Sequence, residues 1–237
     1  MIRSIKELYG NKLGASDGEI GHVKDLYFDD HNWAVRYVVA DTGSWLTGRQ
    51  VLLSPHAFGR FHQAGNVLSV NLTRNQIENS PSIALQEPVS RQYEEEYHRY
   101  YGWPYYWQGT GLWGMSGFPI LETPGQKTAD GPAVAVDPPG PPADPHLRSA
   151  QAVKHYHIRA SDGVIGHLCD LMMDDGNWSI QQLAINTGHL ISAREVQIPV
   201  SAVERISYRE STIYVNLTME VIEQSPAHHW VPVGAAA

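Results

Sequence analysis

The chain has 237 residues, a formal net charge of −8, and 42% hydrophobic against 18% charged residues. That balance suits a folded globular protein and argues against a disordered chain or a general nucleic-acid binder. A single cysteine, Cys169, excludes an intrachain disulfide framework and a cysteine-built zinc site. No apolar run reaches the roughly 18–20 residues of a membrane-spanning helix, and residues 1–7 lack the apolar core of a secretory signal, so a cytoplasmic protein is expected.

The sequence repeats itself. Ala15-Ser16-Asp17-Gly18-Glu19-Ile20-Gly21-His22 returns as Ala160-Ser161-Asp162-Gly163-Val164-Ile165-Gly166-His167. The match runs on without a gap through Asp25-Leu26 and Asp170-Leu171, Asn32-Trp33 and Asn177-Trp178, and Val70-Asn71-Leu72-Thr73 and Val215-Asn216-Leu217-Thr218, to Ser80-Pro81 and Ser225-Pro226. Roughly 40% of the aligned positions are identical, a duplication whose period is too long for a solenoid, so each copy is a domain. The expected division is residues 1–85, a linker at 86–150, and residues 151–237. Their net charges are 0, −4 and −4, so no part of the chain is basic.

In the first copy, residues 19–29 and 33–41 are rich in β-branched and aromatic side chains, and Asp30-His31-Asn32 between them is turn chemistry, which predicts a hairpin. Trp33, Val35, Tyr37 and Val39 alternate onto one face, Val38 and Ala40 onto the other. A strand apolar on both faces is expected to be covered on both. Residues 49–53 predict a further strand, and residues 59–72 a second hairpin turning near Ala64-Gly65-Asn66. Thr73 is placed to cap a helical turn over 73–78, with Gln76 completing a capping box and Ser80-Pro81 ending it. The second copy predicts the same elements, with its turns at Asp175-Gly176-Asn177 and Arg209-Glu210-Ser211 and its cap at Thr218.

The linker holds 10 of the 15 prolines. Its second half, residues 123–147, reads as extended and disordered around Pro138-Pro139-Gly140-Pro141-Pro142. Its first half differs: residues 93–101 have helical spacing, with Tyr93, Tyr97 and Tyr100 on one side, and Trp103, Tyr105, Tyr106, Trp107 and Trp113 crowd among glycines. Three readings stand: the rings clasp an apolar face of the barrels, they form a platform for a partner, or they stack on single-stranded nucleic acid, which the acidic Glu94-Glu95-Glu96 disfavours.

Other candidates are sparser. His22 and His167 occupy matching positions and are expected to bond within their own copies, to Asp25 and Asp170. The doublets Asp29-Asp30 and Asp174-Asp175 read as turn-capping residues. Arg49 and Arg194 follow matching loops and suit either an internal ion pair with Asp25 and Asp170 or contact with a partner. His155, His157, His228 and His229 bracket the second copy and form a weak candidate metal set. Cys169 stands where the first copy has Lys24. No nucleophile elbow, phosphate loop or dinucleotide fingerprint is present, and no catalytic residue or cofactor is assigned.

Each copy resembles the PRC-barrel family, which is named for the photosynthetic reaction centre whose H subunit contains the domain. The resemblance is carried by Ser16-Asp17-Gly18-Glu19-Ile20-Gly21-His22-Val23-Lys24-Asp25-Leu26, Phe28-Asp29-Asp30, Trp33, residues 39–46 and Arg49-Gln50-Val51-Leu52-Leu53-Ser54-Pro55. The second copy departs at Asn186-Thr187-Gly188-His189-Leu190-Ile191-Ser192 and lacks the Ser-Pro step. The resemblance implies an all-β protein: two small barrels of about six strands each, joined by the aromatic and proline-rich linker. It further implies a non-enzymatic docking module that binds a protein partner or itself, with the two barrels forming an intrachain pseudo-dimer. Trp103, Tyr105, Tyr106, Trp107, Trp113, Arg49 and Arg194 are the interaction candidates. A ribosome- or RNA-associated accessory factor and a metal- or ligand-responsive sensor are the alternatives.

Overall fold

The computed structural model describes residues 1–58, 66–81, 89–120, 147–188 and 194–227. The protein is mostly β. The first repeat contributes β1 (Ile2–Ser4), β2 (Lys12–Ala15), β3 (Gly18–Asp29), β4 (Ala34–Asp41), β5 (Gln50–Leu53), β6 (Val67–Ser69) and the short α1 (Arg74–Glu78). After it comes α2 (Arg91–Tyr101). The second repeat contributes β7 (Leu147–Ser149), α3 (Ala150–Val153), β8 (His157–Ala160), β9 (Gly163–Asp174), β10 (Ile180–Asn186), β11 (Glu195–Pro199), β12 (Val203–Ser207), β13 (Thr212–Val215) and α4 (Met219–Glu223).

The same pairing order recurs in both repeats. One sheet runs β5-β4-β3-β2-β6 and the other β11-β10-β9-β8-β13-β12. Both are mixed, because β2 pairs β6 and β8 pairs β13 in parallel while the other neighbours are antiparallel. The expected closure into barrels is corrected: neither sheet closes on itself among the described residues. In the second repeat the outer side of β11 is taken by the segment after α4, through Gln197 N–H donating to Pro226 O at 3.0 Å and a bridge between Val196 and Ala227. In the first repeat the described residues of the two ends meet at the Phe58–Val70 bridge and the Asn71 N–H to Ala57 O bond of 2.6 Å. The expected hairpin strand at residues 59–65 and the proline-rich residues 121–146 lie outside the described residues.

The local predictions hold at the caps. Thr73 and Gln76 form the reciprocal capping box, and Thr218 accepts from Val221 N–H at 3.4 Å. All seven residues from Ala34 to Ala40 are buried, so β4 is covered on both faces. Trp33 is a correction: it precedes β4, with φ 51°, and is half-buried, stacked on Phe28 at 5.7 Å. Its counterpart Trp178, with φ 62°, is 3% exposed and packs on Phe58 at 5.3 Å. A bulky residue in the left-handed region costs about 1–2 kcal/mol, and ring burial is what offsets that cost.

The chain divides into two compact units that are not consecutive in sequence. One holds residues 1–6, 150–174 and 180–237; the other holds residues 7–149 and 175–179. Within the first unit, β1 pairs antiparallel with β9, Ile2 opposite Asp174 and Ser4 opposite Met172. Within the second, β7 pairs antiparallel with β3, Leu147 opposite Asp29 and Ser149 opposite Tyr27. β1 belongs to the first repeat and β7 occupies the matching place in the second, so each repeat's leading strand is built into the other repeat's sheet.

The same polar contact fixes both exchanges. The Ser4 hydroxyl donates to the Asp170 carboxylate, and the Ser149 hydroxyl donates to Asp25. Asp170 also accepts from Leu171 N–H at 2.8 Å and Lys6 N–H at 3.3 Å. Burial pushes its carboxyl above the ordinary value, against the pull of these donors. A raised carboxyl favours the folded state at low pH, and that contribution is lost as pH rises through the raised value.

Ser4→Ala removes one of the donors that hold the value down. It is expected to cost about 1–3 kcal/mol at neutral pH and clearly less near pH 4, where Asp170 is more often protonated. Urea denaturation of both proteins at the two pH values measures this, and an equal loss at both would show that the serine acts otherwise. Trp178→Ala is expected to cost about 3–5 kcal/mol and Trp33→Ala less, because the second ring is half exposed; equal shifts of the urea midpoint would contradict that ordering.

Candidate interaction surface

The cover over β4 and β5 is built by α2 and the loop after it. Ser90 caps α2, accepting from Tyr93 N–H at 3.3 Å, and Gly102 ends it in the left-handed conformation, φ 74°. The expected tyrosine stripe shifts by one position: Tyr97 and Tyr101 are buried, whereas Tyr100 is 41% exposed. Spacing of four continues the row from Tyr93 through Tyr97 to Tyr101. The Tyr97 hydroxyl donates to Leu52 O at 2.9 Å and accepts from Ser54 N–H at 3.1 Å, and its ring meets Tyr37 edge-on at 5.4 Å.

Beneath the helix lies a buried polar network. Glu94 Oε1 accepts from the hydroxyls of Tyr37 at 3.1 Å and Tyr106 at 2.6 Å, and its other oxygen lies 3.0 Å from Arg91. His98 Nδ1 is 2.9 Å from Pro104 O, so that nitrogen carries the proton and Nε2, 3.0 Å from the Tyr37 hydroxyl, accepts. Tyr37 therefore has one proton for two acceptors. Burial pushes the His98 imidazolium down to about 3 and lifts the Glu94 carboxyl, against the pull of Arg91 and the two hydroxyls.

A second buried charge sits on β4. The Arg36 guanidinium pairs with Asp29 at 3.0 Å, donates to Leu112 O at 2.6 Å, and lies 4.0 Å from the centre of the Tyr106 ring and 4.9 Å from that of Trp113. Asp29 also accepts from the backbone of His31 and Asn32 at 2.9 and 3.2 Å, the turn-capping role expected of it. Burial raises its carboxyl, but Arg36 and these donors outweigh burial and hold it below its ordinary value.

Of the five aromatic interaction candidates, Trp103, Tyr106 and Trp113 are at most 5% exposed and act as wall and anchor. Trp103 stacks on the buried His56 at 5.8 Å, and Trp113 Nε1 donates to Asn177 O at 2.8 Å. Tyr105 and Trp107 are half-buried and stacked on each other at 4.7 Å, with Arg91 over the Trp107 ring at 4.2 Å. The rim continues into three residues outside the interaction candidates. Met115 is 91% exposed, Phe118 59% and Ile120 43%. Their signal in the sequence is an apolar residue beside glycine, for Met115 and Phe118, or beside proline, for Ile120, in a loop with no strand or helix period.

The remaining candidates scatter. Arg49 donates to Glu78 O and Ser80 O at 2.9 and 2.8 Å and so caps the end of α1, while Arg194 is exposed. Of the two readings of these arginines, the ion pairs with Asp25 and Asp170 are not formed; the serine hydroxyls take those carboxylates. His22 is exposed on an open cleft of about 480 Å³ that also contains Lys12 and Trp45, and its expected bond to Asp25 is likewise absent. Cys169 is buried; burial, with Glu195 nearby, pushes its thiol up to about 12. His228 and His229 lie outside the described residues, and among the described residues no group of three or more potential ligands is placed to hold a metal. No helix among the described residues is long and apolar enough to cross a membrane.

No protein-family model matches the chain, and no curated protein matches its sequence.

Glu94→Gln tests the buried network. A raised carboxyl means that wild type loses stability as pH rises through that value, whereas a neutral glutamine does not. The stability difference is expected to move in favour of Gln as pH rises from about 4 to about 8. A movement in favour of wild type over that range would mean that Arg91 dominates burial.

Proposed function

We propose that this chain is a non-enzymatic docking protein built from two PRC-barrel-like repeats, and that it presents the rim of its aromatic clasp to another protein. The observation that carries this reading is the contrast within the clasp: Trp103, Tyr106 and Trp113 are buried while Met115, Phe118 and Ile120, a few residues on, are exposed. Trp113 anchors the loop from below, and two short backbone bonds tighten it, Gly111 N–H to Gly114 O at 2.7 Å and Trp113 N–H to Ser116 O at 2.8 Å. A held loop loses little entropy when its apolar tips enter a partner's pocket, which is how a few residues come to dominate an interface. The repeated strand order and the motif resemblance support the family reading.

The test compares tagged wild type with a Met115→Asp/Phe118→Asp variant, each purified from its native cells at low and high salt. The expected result is one stoichiometric protein that withstands high salt and is lost from the variant. Retention of the same proteins by the variant would overturn the reading, as would a wild type that returns alone and sediments as a monomer. For an identified partner, Phe118→Ala is expected to weaken binding tenfold or more, about 1.4 kcal/mol.

A further inference from the structure

The two repeats place different side chains on one backbone frame at the start of β2 and β8. In the first repeat Gly10 has φ 75°, a conformation glycine adopts without strain. Its counterpart His155 has φ 74° and carries a full side chain there. The frame is held alike in both. Gly10 N–H donates to Val23 O and Val23 N–H to Asn11 O, each at 2.9 Å; His155 N–H donates to Leu168 O at 2.9 Å and Leu168 N–H to Tyr156 O at 2.8 Å. The result is a histidine fixed beside β9, whose His167 matches His22 of the first repeat.

The imidazoles of His155 and His167 have ring centres 5.9 Å apart and planes tilted by 42°. With metal–nitrogen bonds of about 2.0–2.1 Å, two imidazoles on one ion have ring centres about 4.5–6.4 Å apart, depending on the angle at the metal. His155 is exposed and His167 half-buried, so an ion bound by both keeps open positions for water. His157 lies opposite His167 in the β8–β9 register, but no three ligands converge among the described residues.

We propose that His155 and His167 form a two-imidazole surface site for a late first-row divalent metal ion, present in the second repeat only. Imidazole suits copper, nickel and zinc, and copper(II) binds most tightly of the series, so it is the probe of choice.

The experiment titrates the full-length, tag-free protein with copper(II) chloride by calorimetry and records the electron paramagnetic resonance spectrum at one equivalent. One equivalent is expected to bind in a tight class with coupling to two nitrogens. His155→Gly, which installs the residue the same frame carries at Gly10, and His167→Ala are each expected to weaken that class at least tenfold. His22→Ala and the double variant His228→Ala/His229→Ala are expected to leave it unchanged. Persistence of the tight class in His155→Gly or His167→Ala would overturn the site, as would its loss in the His228/His229 double variant.

Discussion

A three-residue strand contributes few hydrogen bonds, yet β1 and β7 decide how the chain must be put together. Each brings a serine hydroxyl to an aspartate in the middle of the longest strand of a sheet, Ser4 to Asp170 and Ser149 to Asp25. Asp170 is only 6% exposed, and a buried carboxylate stripped of one of its donors bears more of its desolvation cost uncompensated. Because each serine comes from the other repeat, neither sheet gains its aspartate's serine donor from its own contiguous sequence. Supplying both strands on one chain makes the pairing intramolecular, with the high effective concentration that a covalent tether confers.

Once β4 has its neighbours, its composition imposes the next requirement. Residues 34–40 alternate with no polar face, so a cover is needed on both sides. In the first repeat β4 also carries Arg36 and Tyr37, a charge and a hydroxyl that cannot be buried without partners. Asp29, Leu112 O and two aromatic faces receive the guanidinium; Glu94 and His98 receive the hydroxyl. The aromatic segment is thus bound to its place by specific polar contacts as well as by area. The matching positions in the second repeat are Gln181 and Gln182, which make no such demand.

Much of this was legible in the sequence. The gap-free repeat, the capping threonines, the two-sided strand and the helix over the tyrosines follow from local spacing, and local spacing is what sequence reports best. The exchange of leading strands was not read, because it depends on which of two similar sheets a strand joins. Its trace was present: Arg3-Ser4 matches Arg148-Ser149, upstream of the stretch that first reveals the duplication. Closed barrels were expected from the family resemblance, but β11 protects its edge with the tail after α4 instead. The role of Arg49 was left open because a guanidinium serves a helix's last carbonyls as readily as a carboxylate, and spacing cannot tell the two apart.

Comparison of the repeats separates what the fold needs from what it leaves free. Gly21 and Gly166 are invariant between them for a steric reason: a Cβ at either would lie 2.0 Å from the carbonyl oxygen of Asp41 or Asn186. Asp25 and Asp170, Trp33 and Trp178, and Thr73 and Thr218 are likewise tied to backbone tasks that both copies perform. At other positions the shared frame sets the backbone and leaves the side chain to differ. Gly10 against His155, Arg36-Tyr37 against Gln181-Gln182, and His56 against Ser201 all fall in this class. In the first repeat these differences assemble the clasp and its apolar rim; in the second they bring two imidazoles together. A duplicated scaffold keeps its chemistry at such positions, because substitution there leaves the strand register intact.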